Sequence, residues 1–189
     1  MMYRDKYSKR DFSDIPDVPD VPPPSYSREP KAPLSGYRIA LDISSNFPEP
    51  YATKEPPCFD ADGKSPVFVG SAILADHSVH PCKIAPQLNP VCRVPYGGVE
   101  VAHYGRYDLL PFDPATMEWV TTSRGRIPYG REPVYGGVED NGAQLYHAIG
   151  VVDGVRVPGK TGEHLGGCNV AFNGGEHSIT YNYDILCWK

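Results

Sequence analysis

The feature that most constrains this sequence is an internal repeat whose two copies keep an offset of 76 or 77 residues. Four short blocks recur in the same order along the chain. They are Pro81-Cys82-Lys83 with Pro158-Gly159-Lys160, Val91-Cys92-Arg93-Val94 with Gly167-Cys168-Asn169-Val170, Tyr96-Gly97-Gly98-Val99-Glu100 with Asn173-Gly174-Gly175-Glu176-His177, and Tyr107-Asp108-Leu109-Leu110 with Tyr183-Asp184-Ile185-Leu186. Chance does not keep four blocks in register, so the sequence indicates a duplicated unit. Copies this short are too small to bury separate cores, and we predict that they pack face to face with pseudo-twofold symmetry around a shared interior.

Apolar segments after residue 60 are short, and turn signals separate them. Asn141-Gly142 precedes the apolar pair at 145–146, and Asp153-Gly154 follows the pair at 151–152. The chain holds 19 glycines and 21 prolines, and no segment has the period of a long amphipathic helix. We therefore predict an all-β repeat domain over residues 58–189, with copy one at about 58–112 and copy two at about 118–189.

Residues 1–57 have a different composition from the rest of the chain. Residues 1–33 contain seven prolines and no glycine, and Asp-apolar-Pro units repeat over 14–24. Prolines in this density favour extended backbone without a core, so we predict a disordered, Pro-rich arm and connector over 1–57. Alternating apolar and polar residues over 37–43 allow a strand. Pro23, Pro24 and Tyr26 match the Pro-Pro-x-Tyr pattern that WW domains bind, which makes a WW-domain protein an alternative partner.

Charge and missing motifs exclude several classes of function. The net charge of −5 gives no general attraction to nucleic acid, and no apolar run is long enough for a transmembrane segment. Five cysteines, an odd number, and a charged N-terminus without an apolar stretch favour free thiols and a cytoplasmic location. The motifs of phosphate loops, serine hydrolases, zinc proteases and CxxC redox proteins are missing from the sequence, so we predict neither an enzyme nor a cofactor. His77, His80 and Cys82 are zinc-ligand types without an evident fourth ligand, and we predict no metal site.

The second copy carries the blocks of a known repeat in their usual order. These blocks are Glu118-Trp119-Val120, Gly125-Arg126-Ile127-Pro128, Tyr135-Gly136-Gly137-Val138-Glu139-Asp140-Asn141-Gly142, Leu145-Tyr146, Pro158-Gly159-Lys160, Gly167-Cys168-Asn169-Val170, Gly174-Gly175-Glu176 and Tyr183-Asp184-Ile185-Leu186. The chain resembles the DM-nine repeat family over roughly Asp60 to Leu186, strongly in copy two and more weakly in copy one. Members of that family include small invertebrate lectins of two tandem repeats, and similar repeats are fused to pore-forming modules in natterin-like proteins.

The resemblance implies two interlocked all-β repeats that bind mannose, with one site per repeat and often a homodimer. The family's site pairs an acidic residue after the Gly-Gly turn with the lysine of the Pro-Gly-Lys loop. Carried over, it implies Glu139 and Lys160 in copy two, and Asp60 (or Asp62) with Lys83 in copy one. Copy two has Glu where the shorter Asp is usual. Copy one has cysteine in place of the motif glycine and lacks the Gly-Gly turn.

The chemistry of such a pair suits a sugar. A carboxylate accepts hydrogen bonds from two vicinal hydroxyls, while an ammonium donates to their oxygens. Tyr146, Tyr135 and Phe68 are candidates to stack on the apolar face of the ring. We therefore expect a lectin-like protein that binds mannose-type glycans and has a role in innate immunity. The alternative interpretation of Glu139 and Lys160 is a surface ion pair between two turns, worth about 0–1 kcal/mol.

Overall fold

A computed structural model describes residues 32–189 of the chain. The Pro-Pro-x-Tyr residues Pro23, Pro24 and Tyr26 lie outside the described residues. The prediction of an all-β domain is confirmed, because fifteen strands account for most of the described residues and the helical parts are one short α-helix and one 3-10 turn. No helix within residues 32–189 is long and apolar enough to cross a membrane.

The strands are short, as the spacing of the turn signals predicts. In chain order they are β1 Ile39–Leu41, β2 Cys58–Phe59, β3 Pro66–Ile73, β4 Val79–Ile84, β5 Cys92–Tyr96, β6 Val99–His103, β7 Tyr107–Leu110, β8 Met117–Ser123, β9 Glu132–Pro133, β10 Tyr135–Val138, β11 Gln144–Val152, β12 Val155–Gly162, β13 Gly167–Phe172, β14 Gly175–Ile179 and β15 Tyr181–Trp188. The α-helix α1 is Pro50–Thr53, and the 3-10 turn is Glu163–Leu165. Strand β1 lies within the 37–43 segment and pairs with β7, Ile39 opposite Leu109.

Twelve of the strands form one hydrogen-bonded path, in the order β1-β7-β3-β4-β5-β6-β14-β13-β12-β11-β15-β8. Strands β3 to β7 of copy one lie on one side of the β6–β14 junction. Strands β11 to β15 of copy two follow on the other side in the matching reversed order. Strand β10 pairs with β11 and also with β4, where Val138 lies opposite Val79, so β4 packs on β11 and β12. Exact pseudo-twofold symmetry stays a prediction, but the copies interlock in this way.

The β6–β14 junction consists of two glycine turns that hold each other. The amide of Gly98 donates to Glu176 Oε2 at 2.8 Å, and the amide of Gly174 donates to Glu100 Oε2 at 2.8 Å. The amides of the two glutamates donate in turn to the carbonyl of the opposite turn, at 3.1 and 3.2 Å. Gly98 and Gly174 have φ of 85° and 82°, a left-handed backbone that glycine adopts without strain. We call this arrangement the reciprocal turn clasp, and it explains why both copies carry glycines followed by glutamate.

The buried apolar side chains form several clusters, some within one copy and some shared between the two copies. One cluster belongs mainly to copy one and includes Ile84, and another belongs to copy two and includes Val170. Two further clusters combine the copies, with Val69 against Leu186 in one of them. Each copy therefore buries part of its own surface between its strands and the rest against its neighbour.

The segment before the repeats is anchored by Arg38. Its Nη1 donates to Asp108 Oδ1 at 2.7 Å and to Ser71 Oγ at 2.8 Å, both in copy one. Its Nη2 donates to the carbonyl of Tyr135 at 2.7 Å and lies 2.8 Å from Nε2 of His147, both in copy two. The guanidinium therefore joins three parts of the fold, although nothing in the sequence pattern singles it out.

Candidate functional site

The structure brings Glu139 and Lys160 together, with Lys160 Nζ 3.8 Å from Glu139 Oε1. Lys160 lies inside strand β12 and not in a loop as we expected, while Glu139 begins the turn after β10. A bulge in β10 precedes that turn, where Gly137 has φ of 154°. A side chain at Gly137 would meet the carbonyl of Val79 at 1.9 Å, so only glycine fits at this crossing. The Gly-Gly motif thus sets the position of the carboxylate.

The glycine of the Pro-Gly-Lys motif is needed for close packing and not for a special backbone angle. A Cβ on Gly159 would lie 2.1 Å from the carbonyl oxygen of Asn169 on the neighbouring strand β13. In copy one the equivalent Cys82 is a regular β4 residue whose side chain is buried, with its Sγ 3.5 Å from Sγ of Cys92. The cysteine therefore leaves the strand carrying Lys83 intact.

A histidine from copy one completes the copy-two cluster. His80 on β4 is fully buried, and its Nδ1 lies 3.0 Å from Lys160 Nζ. Its Nε2 lies 2.9 Å from Ser78 Oγ and 3.5 Å from Glu139 Oε2. The sequence pattern indicates His80 only as a possible metal ligand and gives no sign of this role. Within residues 32–189 no group of three or more His, Cys, Asp or Glu side chains is arranged to hold a metal ion.

An aromatic ring covers the ammonium of Lys160. The centroid of the Tyr96 ring lies 5.3 Å from Lys160 Nζ, and the ring meets His80 edge-on at 5.1 Å. Tyr96 is 39% exposed, whereas the Lys160 side chain is 4% exposed and that of Glu139 is 16% exposed. The carboxylate is therefore the more accessible member of the pair, and Tyr96 separates the ammonium from solvent.

Burial and neighbouring charges shift the titration of this cluster. Burial lowers the pKa of Lys160 below its ordinary value, while Glu139 and Glu176 oppose the shift. Burial, then the charge of Lys160, lowers the pKa of His80, against the opposing effect of Glu139 and Asp76. At neutral pH His80 is therefore uncharged. An ammonium can only donate, so Nδ1 accepts from Lys160 and the ring proton resides on Nε2, facing Ser78 and Glu139.

An open cavity lies on the far side of His164 from the carboxylate, and neither Glu139 nor Lys160 lines it. His164 Nε2 lies 3.5 Å from Glu139 Oε1, and His164 also lines a cavity of about 370 Å³. The other lining residues are Ile127, Ala143, Gln144, Tyr146 and Glu163. Of the predicted stacking residues, Tyr146 therefore faces this cavity, Tyr135 packs edge-on against Tyr146 at 5.9 Å, and Phe68 is buried in the copy-one cluster.

The lysine of copy one has different partners from those the family pattern implies. Lys83 Nζ lies 2.8 Å from Glu100 Oε1 and donates to the carbonyl of Ala171 at 2.8 Å. Asp60 instead accepts a hydrogen bond from the Gln87 side chain at 2.8 Å, and no ion pair between Asp60 and Lys83 occurs among the described residues. The alternative acid, Asp62, accepts hydrogen bonds from the backbone and side chain of Ser65. Lys83 is thus tied to the reciprocal turn clasp.

Comparison with known proteins identifies the type of fold and its family. The structure of the nematode sperm cell motility protein MFP2B matches with a TM-score of 0.57 at 16% identity, over 86% of this chain and 50% of that chain. This chain therefore spans about half the length of MFP2B, and the likeness concerns the fold alone. A search of curated proteins found no match. The family model for the DM9 repeat matches residues 60–187, more than half of the chain and both sequence copies. The chain belongs to the DM9 (DM-nine) repeat family.

Proposed function

We propose that this protein is a non-enzymatic carbohydrate-binding recognition protein whose site is the Glu139–Lys160 pair of copy two. The observation that supports it is the meeting of these two side chains at 3.8 Å, with His164 connecting Glu139 to the 370 Å³ cavity. An ammonium has three N–H donors, and the hydrogen bond of Lys160 within the described residues is the one to His80. Lys160 therefore keeps donors for a ligand, and Glu139 keeps acceptor capacity.

The charges around the site favour a neutral, hydroxyl-rich ligand. Glu139, Glu176 and Asp76 act electrostatically on Lys160 and His80, and Asp140 acts on the neighbouring Tyr96. One cation among several carboxylates repels anionic ligands and leaves many oxygen acceptors for sugar hydroxyls. Mannose-type glycans have this chemistry, whereas sialylated, sulfated or phosphorylated glycans do not. We therefore propose mannose-type glycans as the ligand and a role in recognition or defence.

The two copies are not equivalent in this proposal. Lys83 is engaged by Glu100 and Ala171 at 2.8 Å each, and the ring of Phe172 lies 5.7 Å from its ammonium. Displacing these contacts in favour of a sugar would leave a mostly buried carboxylate without its partner, which is costly. The proposal therefore assigns binding to copy two and a structural role to the lysine of copy one.

Ligand binding at Lys160 requires the Tyr96 ring to turn aside. The loss of its contact with the ammonium costs about 0.5–2 kcal/mol, the range for cation–π pairs. Contacts between the sugar and both charged groups must offset that cost, so a single site is expected to be weak, with Kd of roughly mM to μM. Clustered glycans bind more tightly when several copies of the protein act together.

The test is a glycan array followed by calorimetry with the full chain. Glu139→Gln combined with Lys160→Met should lose at least tenfold in affinity for mannose-type glycans while its circular dichroism spectrum stays unchanged. Arg131→Met combined with Glu118→Gln removes an ion pair of the same type elsewhere on the surface and should bind as the wild type does. Full binding by the Glu139/Lys160 variant would exclude this site. Deleting residues 1–31 separates the WW-partner alternative, because sugar binding should survive that deletion.

A further inference from the structure

We propose that His80, contributed by copy one, is a positioning residue that holds the Lys160 ammonium ready for the ligand, so that glycan binding in copy two requires an uncharged His80. This inference rests on the proposed function of the same site. It goes beyond that function because it assigns a role to a residue of the other copy and makes binding sensitive to acid.

The geometry gives His80 the strongest hold on Lys160. The distance from Lys160 Nζ to His80 Nδ1 is 3.0 Å, whereas the distance to Glu139 Oε1 is 3.8 Å. A hydrogen bond at 3.0 Å fixes direction as well as distance, but a contact at 3.8 Å is attraction without a hydrogen bond. The imidazole therefore determines where the ammonium lies.

His80 is itself held in place from its other side. Ser78 Oγ lies 2.9 Å from His80 Nε2 and donates to Asp76 Oδ1 at 2.6 Å. The backbone amide of Ser78 donates to the same Asp76 oxygen at 2.9 Å. A chain of short hydrogen bonds thus runs from the turn before β4 to the ammonium on β12, and this chain fixes the ring orientation.

The comparison between copies shows why this hold is special to copy two. Residue 157, at the position in β12 equivalent to His80, is a valine. Glu176, which has the same role in the reciprocal turn clasp as the Glu100 that binds Lys83, accepts hydrogen bonds from the Gly98 amide at 2.8 Å and from Asn169 Nδ2 at 3.1 Å. Lys160 therefore depends on an imidazole where Lys83 has a carboxylate and a carbonyl. An uncharged acceptor holds the cation without neutralising it.

Acid should break the hydrogen bond between Lys160 and His80. The charged groups that face His80 are Lys160 on β12, Glu139 after β10, Asp76 before β4 and Glu176 on β14. Protonation removes the lone pair on Nδ1 and places two cations 3.0 Å apart, so the ammonium must leave its position. Because burial holds the pKa of His80 below its ordinary value, this change occurs below pH 6.5.

The experiment measures mannose-glycan affinity from pH 7.5 to 5.5 with the full chain. Wild-type affinity should fall progressively below pH 6.5 and should have fallen by less than tenfold at pH 5.5, because the proton that disrupts the site binds with a pKa below 6.5. His80→Val, which introduces the residue of the other copy, should lose at least tenfold already at pH 7.5. His80→Gln keeps a neutral acceptor that does not titrate, so it should bind within about threefold of wild type at pH 7.5 and show no further loss in acid. His103→Gln alters another histidine of copy one that contacts the carbonyl of Arg106, and it should keep the wild-type profile.

A wild-type pH profile for both His80 variants would overturn the inference. If His80→Val fails to fold, the pH profile of His80→Gln still tests the inference, because a loss of affinity in acid equal to that of the wild type would contradict it. A wild-type chain that binds no glycan overturns the proposed function and the ligand part of this inference. The positioning part is then judged by ¹⁵N NMR of His80, which should show the Nε2–H tautomer and a higher pKa in Lys160→Met. An Nδ1–H tautomer, or a pKa that does not move, would refute it.

Discussion

The replacement Arg38→Met tests whether the segment before the repeats is part of the folded unit. Arg38 lies outside residues 60–187, where the family model matches. Its guanidinium nevertheless contacts Asp108 and Ser71 of copy one and His147 and Tyr135 of copy two. Methionine keeps most of the apolar stem and removes every one of those hydrogen bonds, so the variant isolates the polar contribution.

The structure indicates how large the effect should be. His147 is fully buried, and loss of the donor at its Nε2 leaves a buried polar atom unsatisfied, which costs about 1–3 kcal/mol. The Asp108 carboxylate is 30% exposed, so water replaces part of its lost bond and the added cost is only about 1 kcal/mol. We expect the free energy of unfolding to fall by about 3 kcal/mol, which corresponds to a drop in Tm of roughly 6–12 °C for a domain of this size.

Urea unfolding followed by tryptophan fluorescence and circular dichroism measures this change. The matched control is Arg131→Met, because Arg131 pairs with Glu118 at the surface, where the side chains are 43% and 29% exposed. Such pairs contribute about 0–1 kcal/mol. If Arg38→Met loses no more stability than Arg131→Met, the segment before the repeats is an accessory and our reasoning about the anchor is wrong.

Three further predictions concern stability and thiol reactivity. Burial holds the pKa of His147 well below its ordinary value, so below about pH 6.5 the unfolded chain binds a proton that the folded chain does not. The free energy of unfolding should therefore decrease as the pH is lowered, by up to about 1.4 kcal/mol per pH unit. A free energy of unfolding in urea that stays constant between pH 7 and 5 would contradict this. All five cysteines are free and buried, and burial raises the pKa of Cys58 to about 12, so Ellman's reagent at pH 8 should label none in the native protein and all five in urea. Gly137→Ala should lower the free energy of unfolding by ~3 kcal/mol or more, whereas Gly97→Ala, whose added Cβ meets nothing, should lower it by only about 1 kcal/mol. Equal losses in the two variants would disprove the argument that close packing requires glycine at position 137.

Local sequence patterns predict the fold because its strands end at glycine and asparagine turns. The repeat offset also predicts which strands correspond, and the sheet order follows it. The family resemblance implies a loop for the lysine motif, and its proline is a residue uncommon inside strands. In the structure Pro158 pairs with Ile149 on one side, and the ladder to β13 begins only at Gly159. Proline is tolerated at position 158 because β13 does not pair with this residue and so needs no N–H from it.

The side chains that complete the site could not be predicted from local patterns. His80 lies 80 residues before Lys160 in the chain, and Arg38 lies 109 residues before His147. Such contacts depend on how the copies interlock, and the spacing of residues within one copy carries no information about that. One signal was available, because His80 aligns with Val157. A titratable residue at a position where the other copy is apolar indicates a local function and not a shared packing role.

The contrast between the two lysines leads to a last prediction about stability. Lys83→Met would leave Glu100, which is 11% exposed, without its ion pair. Burial raises the pKa of Glu100, but hydrogen bonds from Lys83 and the Gly174 amide outweigh it and bring the pKa below its ordinary value. Lys160→Met would leave only an uncharged imidazole and a more accessible carboxylate. We therefore expect Lys83→Met to lose about 3 kcal/mol and Lys160→Met about 1 kcal/mol, with the Glu100→Gln/Lys83→Met double variant recovering part of the loss. A lysine whose ammonium remains available for a sugar should contribute little to the stability of the fold. Equal decreases in the free energy of unfolding for Lys83→Met and Lys160→Met would therefore refute the division between a structural lysine in copy one and a ligand-binding lysine in copy two.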